Sequence, residues 1–378
     1  MLGTMTKFLK TLMLKISSNK KISQMEPWID EKEEQAVLRV LKSGWITEAD
    51  ETKKFEQQIA DFVGSKYCSV VSNGTVSLFI ALKALGIRVK DEVIVPDMTM
   101  VASINAIVMA GATPVVVDIE KKTLCLDLSE VERKITSKTK AIMPVAFNGR
   151  SPDMEKLLKI AKKNKLFIVE DAAQALGSYY KGKHLGTFGE IGSFSFSTPK
   201  IITTGQGGAL VTNDKFLYEK IIRLKDFGRI NRNSQEHDEI GLNFKFSDIL
   251  AAVGVVQMEK LPWRIKRKRA IYSLYVKELG GVKQVNFIPT DLSQTTPWFI
   301  DIFVLDQLKL KHFLKENNVG TREFYPAIHT TKPYNKIGKF PNSFWVSQQG
   351  LWLPSSSFLS DEDVKYVCAR IKEYYDKD

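Results

Sequence analysis

The segment that decides the fold is Phe167-Ile168-Val169-Glu170-Asp171-Ala172-Ala173-Gln174, in which an apolar run ends in two carboxylates. A short, continuous β-rich run of this kind is typical of a parallel strand that is buried on both faces. Open α/β sheets bind ligands at the carboxyl ends of their strands, which predicts that Asp171 lies at a binding site. There its carboxylate could bind a metal, act as a base or hold a protonated ring nitrogen, and a plain helix N-cap is the alternative.

Similar runs alternate with helical patterns on both sides of this segment. The predicted strands are Glu92–Val95, Pro114–Val117, Ala141–Val145 and Leu166–Val169, and the predicted helices are Glu31–Leu41, Phe55–Phe62 and Val76–Leu85. Repeated strand–helix units favour a doubly wound α/β domain with a mostly parallel sheet.

The pattern changes after about residue 260, where Leu261-Pro262-Trp263 predicts a break before a basic helix that ends near Tyr275. Beyond it we expect a strand within Trp298–Leu305 and helices at Leu308–Asn317 and Asp361–Tyr375. The 378 residues therefore divide into a basic, disordered extension (1–24), a large domain (25–260) and a smaller α+β domain (261–378).

Composition excludes several classes of protein. The net charge of +12 comes largely from lysines before Glu26 and from the run Arg264 to Arg269, which we interpret as solvated, because no aromatic residues interleave to favour nucleic acid. Three widely spaced cysteines predict neither a disulfide framework nor a metal site, and a reducing, cytoplasmic location fits them. The longest charge-free stretch, Met98 to Val117, is too polar for a membrane span.

Two further segments carry candidate chemistry. In Gly192-Ser193-Phe194-Ser195-Phe196-Ser197-Thr198-Pro199-Lys200, alternation places the two phenylalanines on one strand face and the three serines on the other. Lys200 then stands before the turn Thr203-Thr204-Gly205-Gln206-Gly207-Gly208, whose glycines permit close approach of a ligand. A lone lysine is usually solvated, but a partly desolvated one is a nucleophile for a carbonyl.

The other segment, Ser72-Asn73-Gly74-Thr75, opens the helix Val76–Leu85 with free backbone N–H groups and hydroxyls. It predicts either a phosphate site or ordinary helix caps. Together the segments supply a phosphate cradle, a carboxylate for a ring nitrogen and a lysine for an aldehyde. These are the requirements of pyridoxal 5'-phosphate (PLP).

At these residues the chain resembles the DegT/DnrJ/EryC1/StrS family of nucleotide-sugar aminotransferases, within the type I, aspartate-aminotransferase-like fold of PLP enzymes. The resemblance covers about residues 25–375. It rests on Ser43-Gly44-Trp45-Ile46-Thr47, Asp91-Glu92-Val93-Ile94-Val95-Pro96 and Gly241-Leu242-Asn243-Phe244-Lys245 in addition to the segments above. Within the family it is most similar to the members that aminate C4 of a 4-keto-6-deoxy sugar to a perosamine-type product.

The resemblance assigns the following roles. Lys200 binds the cofactor aldehyde covalently and acts as the acid–base, Asp171 pairs with the ring nitrogen, and Gln174 lies by the ring hydroxyl. Gly74, Thr75 and Ser195 bind the phosphate, and Asn243 reaches the phosphate of the neighbouring subunit, which implies a homodimer with shared active sites. The cations that would hold the sugar nucleotide's diphosphate are Arg229, Arg232, Arg322 and His329.

By the same resemblance, L-glutamate donates the amino group, the cofactor alternates between PLP and pyridoxamine phosphate (PMP), and the product serves glycan or surface-polysaccharide assembly. Three alternatives stay open: amination at C3 of a 3-keto sugar, a dehydratase, and a non-catalytic module with basic arms that engage nucleic acid. The dehydratase branch carries His at the aldehyde-binding position, where this chain has Lys200.

The sequence departs from the family pattern at three places. Met100 stands where many members have an aromatic residue that stacks on the cofactor ring, and a thioether can still pack on a π face. Ala146-Phe147-Asn148-Gly149 replaces a His-x-Tyr-Gly block, and Gln206 replaces a glutamate. These changes leave the cofactor chemistry intact and leave the identity of the sugar open.

Overall fold

The computed structural model describes residues 21–231 and 234–376, and its largest element is a seven-stranded sheet. The strand order is β1-β9-β8-β5-β4-β2-β3, and every neighbouring pair is parallel except those that β9 makes with β1 and β8. This is the predicted α/β sheet, which is therefore confirmed. Its strands are β1 (Tyr67–Val71), β2 (Glu92–Pro96), β3 (Thr113–Val117), β4 (Thr139–Ile142), β5 (Phe167–Asp171), β8 (Ile191–Ser195) and β9 (Gly208–Thr212).

Helices cover both faces of this sheet, and those predicted from apolar periodicity are present. The helices of this part are α1 (Glu31–Ser43), α2 (Asp50–Val63), α3 (Gly74–Ala84), α4 (Ala102–Met109), α5 (Leu128–Lys134), α6 (Met154–Asn164) and α7 (Lys215–Lys225). A short hairpin, β6 (Tyr179–Tyr180) with β7 (Lys183–His184), and a 3₁₀ turn, Phe147–Gly149, lie between strands. Two apolar clusters, one on each face, contain Phe194 and Phe196 on one side and Val169 on the other.

The predicted break at Leu261-Pro262-Trp263 is wrong, because one helix, α8 (Asp248–Leu279), runs through Pro262. Proline removes one helical hydrogen bond at a cost of about 3 kcal/mol. Leu261, the residue before it, is fully buried in the apolar cluster that contains Phe194 and Phe196, and this packing offsets that cost.

The interpretation of Arg264 to Arg269 as a solvated run is also wrong for two of its members. Arg264 and Lys268 lie one turn apart and are each 2% exposed. The Arg264 guanidinium donates to the carbonyls of Ile201 and Trp28, both at 2.9 Å. Backbone carbonyls therefore accept hydrogen bonds from the two terminal nitrogens of this buried guanidinium.

A second sheet follows α8, with β12 (Gly350–Leu353) between β10 (Ile300–Phe303) and β11 (Arg322–Glu323) in antiparallel pairing. Around it lie α9 (Gln307–Glu316), α10 (Pro341–Gln349), α11 (Asp361–Tyr375) and the 3₁₀ turns Ile328–Thr330 and Lys332–Tyr334. We propose the domain division at 260/261, within α8: Leu261 is the last fully buried apolar residue of this helix in the large-domain cluster, and from Ile271 onward its buried apolar residues belong to a separate cluster.

The predicted disordered extension, 1–24, lies outside the described residues up to position 20. Residues 21–24 do not fit that prediction. Ile22 is 2% exposed, its N–H donates to Asn318 O at 2.9 Å, and its carbonyl accepts from Gly320 N at 2.7 Å. Burial and pairing therefore join this end of the described chain to the carboxyl-terminal cluster. Across the described ranges no helix is both long and apolar enough to cross a bilayer.

Candidate active site

A cleft of about 560 Å³ opens where the carboxyl ends of β5 and β8 meet the amino terminus of α3. This size lies within the range of about 300–1,000 Å³ that small-molecule sites occupy. Eight residues predicted from the sequence line it: Gly74, Thr75, Met100, Asp171, Gln174, Ser195, Lys200 and Arg322. They come from distant parts of the chain, and the sheet topology brings them together.

Asp171 is the last residue of β5, and its side chain is almost fully buried. The Ser103 hydroxyl donates to its Oδ2 at 2.6 Å, and the Ala173 N–H donates to Oδ1 at 3.2 Å. Burial raises the pKa of Asp171, whereas these two donors and the positive charge of Lys200 act against that rise. The result is a fixed carboxylate behind the cleft, suited to hold a proton on a ring nitrogen.

Lys200 lies in the loop after β8, with its Nζ 4.2 Å from the centroid of the Trp298 ring. Burial lowers the pKa of this amine to about 8, Asp171 opposes that change, and the positive Arg322 adds to it. At neutral pH the neutral, nucleophilic amine is therefore much more populated than in an ordinary lysine, for which the pKa is about 10.4. These conditions suit covalent attachment to an aldehyde.

The amino terminus of α3 forms the predicted anion cradle. Asn73 caps the helix by accepting from Val76 N at 2.9 Å, which leaves backbone N–H groups of the first turn directed at the cleft. A Cβ on Gly74 would lie only 2.9 Å from the Cβ of Ser195, so glycine permits this contact between α3 and β8. The helix dipole, the free N–H groups and the Ser195 hydroxyl together fit a phosphate.

Gln174 and Met100 border the space between the cradle and Lys200. The Gln174 Oε1 accepts from Asn148 N at 2.7 Å, which fixes the side-chain amide. Met100 is 43% exposed, and its Sδ accepts from Ala102 N at 3.1 Å. An aldehyde-binding lysine, a buried carboxylate, an anion cradle and an apolar thioether within one cleft form a donor set that fits pyridoxal phosphate.

Three of the predicted ligands do not line this cleft. Asn243 is exposed and forms an isolated backbone bridge with Asp226. Arg229 lies 3.8 Å from the Asp226 carboxylate. His329 is held by the buried Asp97, whose two carboxylate oxygens lie 2.8 Å from His329 N and 2.7 Å from Nδ1.

A third predicted cation, Arg322, does line the cleft, with its guanidinium 5.5 Å from the Tyr325 ring. The fourth, Arg232, lies outside the described residues. Across the described ranges, no group of three or more His, Cys, Asp or Glu side chains is arranged to hold a metal.

Sequence reasoning missed Ser103, Trp298 and Tyr325 as parts of the site. Ser103 is one turn from Thr99, whose hydroxyl lies 2.7 Å from its own. A pair of hydroxyls at this spacing, just before the apolar run Ala106–Met109, was an available signal. Trp298 and Tyr325 both line the cleft, although they stand about a hundred residues or more beyond Lys200. Their contribution depends on how the second sheet packs, for which the sequence carries no local pattern.

Known proteins resemble this chain over nearly their whole length. The model of the DegT/DnrJ/EryC1/StrS aminotransferase family matches residues 27–372. A GDP-perosamine synthase of Escherichia coli O157:H7 is 41% identical over 361 residues, which cover 94% of this chain and 99% of that protein. A dTDP-3-amino-3,6-dideoxy-alpha-D-galactopyranose transaminase of Aneurinibacillus thermoaerophilus is 35% identical over 346 residues, with coverages of 90% and 94%. Among solved structures, the sugar aminotransferase Spr1654 of Streptococcus pneumoniae, in its PMP form, gives a TM-score of 0.90 at 27% identity and covers 95% of this chain and 98% of that one.

Proposed function

The chain belongs to the DegT/DnrJ/EryC1/StrS aminotransferase family, and from this premise we propose that it transfers an amino group from L-glutamate to C4 of a nucleotide-linked 4-keto-6-deoxy sugar. The enzyme is a PLP-dependent aminotransferase. The observation that carries the proposal is that Lys200, Asp171 and the amino terminus of α3 line a single cleft. The likeness to a GDP-perosamine synthase supports a perosamine-type product for polysaccharide assembly.

The residues that line the cleft have distinct proposed roles toward the cofactor. When bound, pyridoxal phosphate supplies an aldehyde that accepts the amino group and a ring that withdraws electrons from the reacting carbon. Lys200 would hold that aldehyde, and its Nζ would move the proton as a general acid–base. Asp171 would hold a proton at the ring nitrogen. Gly74, Thr75 and Ser195 would hold the phosphate.

Of the cations predicted to bind the substrate, fewer line the cleft of one subunit than the sequence suggested. Arg322 lines the cleft and is the cation best placed there for an anionic substrate group. The proposed roles of Arg229, His329 and Asn243 require them to act at the edge of the cleft or in that of a neighbouring subunit, since they do not line their own.

We propose a cytoplasmic homodimer with shared active sites. Trp45 is 71% exposed, and Ile46 and Leu242 are also exposed, apolar surface that a second copy would cover. The Ser247 hydroxyl donates to Ile46 O at 2.7 Å, which joins these two loops next to Asn243. Light scattering of the purified protein should give twice the chain mass of 42.8 kDa, and a monomer would contradict the shared site.

The test of the function begins with the wild-type protein loaded with PLP. Its cofactor absorbance should bleach on addition of L-glutamate, and borohydride reduction followed by peptide mapping should label Lys200. Lys200→Ala should keep the circular dichroism spectrum and lose both signals, whereas Lys183→Ala, a change at an exposed lysine, should keep both. A Lys200→Ala protein that still turns over would refute the assignment.

The position of amination needs a product assay. The Aneurinibacillus relative is named as a 3-amino-sugar transaminase, so the 4-keto and 3-keto sugar nucleotides should be compared, with GDP, UDP and dTDP carriers. We expect a mass change consistent with amination for the 4-keto sugar, and NMR that places nitrogen on C4. Nitrogen on C3 would establish the alternative reaction.

A further inference from the structure

Trp298 occupies a position that the proposed chemistry does not yet use. Its side chain is 3% exposed, it lines the cleft, and its ring centroid lies 4.2 Å from Lys200 Nζ. Indole rings attract ammonium groups at this distance more strongly than other aromatic rings do, and the attraction increases when both are desolvated. The ring therefore acts on the amine that has to bind the cofactor.

The indole is hydrogen-bonded to the loop that carries this amine. Its Nε1–H donates to the carbonyl of Pro199, the residue before Lys200, at 2.7 Å. Its ring also stacks on Phe299, with centroids 3.8 Å apart and an interplanar angle of 22°. The ring position is thus fixed by a hydrogen bond and a stacking contact.

The backbone on both sides of the indole is fixed as well. Lys268 donates from Nζ to Trp298 O and to Ser355 O, each at 2.5 Å. The Asn148 side chain donates to Phe299 O at 2.9 Å and accepts from Phe299 N at 2.7 Å. Two polar side chains, on α8 and on the 3₁₀ turn of the large sheet, therefore hold residues 298 and 299.

Burying the Lys268 amine to hold these carbonyls costs free energy. It is 2% exposed, and no carboxylate within the described ranges forms an ion pair with it. Burial and the neighbouring Arg264 lower its pKa to about 7. A buried cation without a counter-ion is costly, and an apolar side chain would fill the same space without that cost. The two hydrogen bonds from Lys268 to carbonyls are the interactions that offset this cost.

We propose that Trp298 is an active-site residue whose indole holds the Lys200 amine in the cleft, and that Lys268 is the positioning residue that holds Trp298. This inference rests on the proposed role of Lys200. It assigns the indole a specific task, because the amine is free on a flexible four-carbon stem whenever it is not bound to the cofactor, and a mobile amine transfers protons poorly. The charged groups that face Lys200, Asp171 and Arg322, are unchanged in every variant below.

The test measures covalent attachment of PLP to apo protein as a function of pH, with borohydride trapping at position 200. The indole favours the protonated amine, so Trp298→Leu, which keeps apolar bulk, should move the midpoint of attachment downward by about 0.4–1.5 pH units. Trp298→Phe should give a smaller shift in the same direction. Lys268→Met should also shift the midpoint downward, and combining it with Trp298→Leu should add no further shift. Lys266→Met, at an exposed position on the same helix, should leave it unchanged.

A second measurement separates this role from packing. At saturating L-glutamate, Trp298→Leu should slow bleaching of the cofactor about tenfold or more, because the freed amine is no longer held. An unchanged or raised midpoint in both Trp298→Leu and Lys268→Met would overturn the inference, as would an equal shift in Lys266→Met. Failure of the wild-type protein to attach PLP at position 200 would instead overturn the proposed function, so the two failures are distinguishable.

Discussion

Replacing Arg150 by methionine tests how the second sheet is held against the first. The Arg150 guanidinium donates from Nη1 to Asp301 Oδ2 at 2.7 Å and from Nη2 to Asp301 Oδ1 at 2.9 Å. It also donates from Nε to the Thr290 hydroxyl at 3.1 Å. Both charged side chains are buried, and within the described residues the Asp301 carboxylate accepts from Arg150 alone.

The expected loss follows from what Arg150→Met leaves behind. Asp301 is 0% exposed, so it would remain as a buried carboxylate without a donor, which costs about 3–5 kcal/mol of unfolding free energy. That is a large part of the roughly 5–15 kcal/mol that a folded protein has.

Urea unfolding of apo protein at one protein concentration measures this loss. Asp301→Asn should lose a similar amount, because it leaves the buried guanidinium without a counter-ion, whereas Arg150→Met combined with Asp301→Asn should lose clearly less than the sum. Arg133→Met removes an exposed partner of Glu130, 2.8 Å away, and should change stability by less than about 1 kcal/mol. Losses below 1 kcal/mol in both single variants, or additive losses in the double variant, would refute the reasoning.

Three further predictions concern the cleft. Asp171→Asn removes a buried carboxylate whose pKa is raised in the folded state. The apo variant should therefore be more stable than the apo wild type in urea at pH 8, and this difference should vanish at acid pH. Turnover of the variant should be lost. Ser103→Ala removes a hydroxyl donor to that carboxylate at 2.6 Å, a bond worth about 1.5–3 kcal/mol, and should lower kcat by about tenfold or more with an unchanged circular dichroism spectrum. Gly74→Ala places a Cβ 2.9 Å from the Cβ of Ser195 and should weaken PLP binding in a fluorescence titration, whereas Gly281→Ala, with no atom within 4 Å of the new Cβ, should not.

The large sheet could be predicted because its information is local. In the predicted strand Glu92–Val95 the last three residues are all β-branched, as expected for a parallel strand covered on both faces, and the strand in the structure is Glu92–Pro96. Asp171 could be placed in the cleft for the same reason, since the end of a parallel strand fixes which edge its side chain reaches. Where the pattern weakens, the boundaries move: Ala141–Val145 was predicted as a strand, but the strand is Thr139–Ile142, and Val145 makes only an isolated bridge with Asp171.

The sequence could not predict the features that depend on distant partners. Lys268 and Arg264 follow a charged pattern that favours solvent, yet carbonyls from other segments surround them. Helix α8 continues through Pro262 because the packing of Leu261 outweighs one lost hydrogen bond. In each case the local sequence pattern gives the residue's intrinsic preference correctly, but the free energy of a tertiary contact is larger and outweighs that preference.

The contacts across the two sheets link stability to chemistry in this enzyme. Asp171 ends β5 of the large sheet and Lys200 lies in the loop after β8, whereas the indole over the amine belongs to the segment that leads into β10. Three buried polar contacts hold this segment: Arg150 with Asp301 and Asn148 with Phe299, both from the large domain, and Lys268 of α8 with the carbonyl of Trp298. All three contacts are made to residues within four positions of Trp298. We therefore expect the loss of any one of them to displace the indole ring before the chain unfolds. The reactivity of the Lys200 amine should therefore change at urea concentrations below the unfolding midpoint, and coincident transitions would show that the two sheets and the site form one cooperative unit.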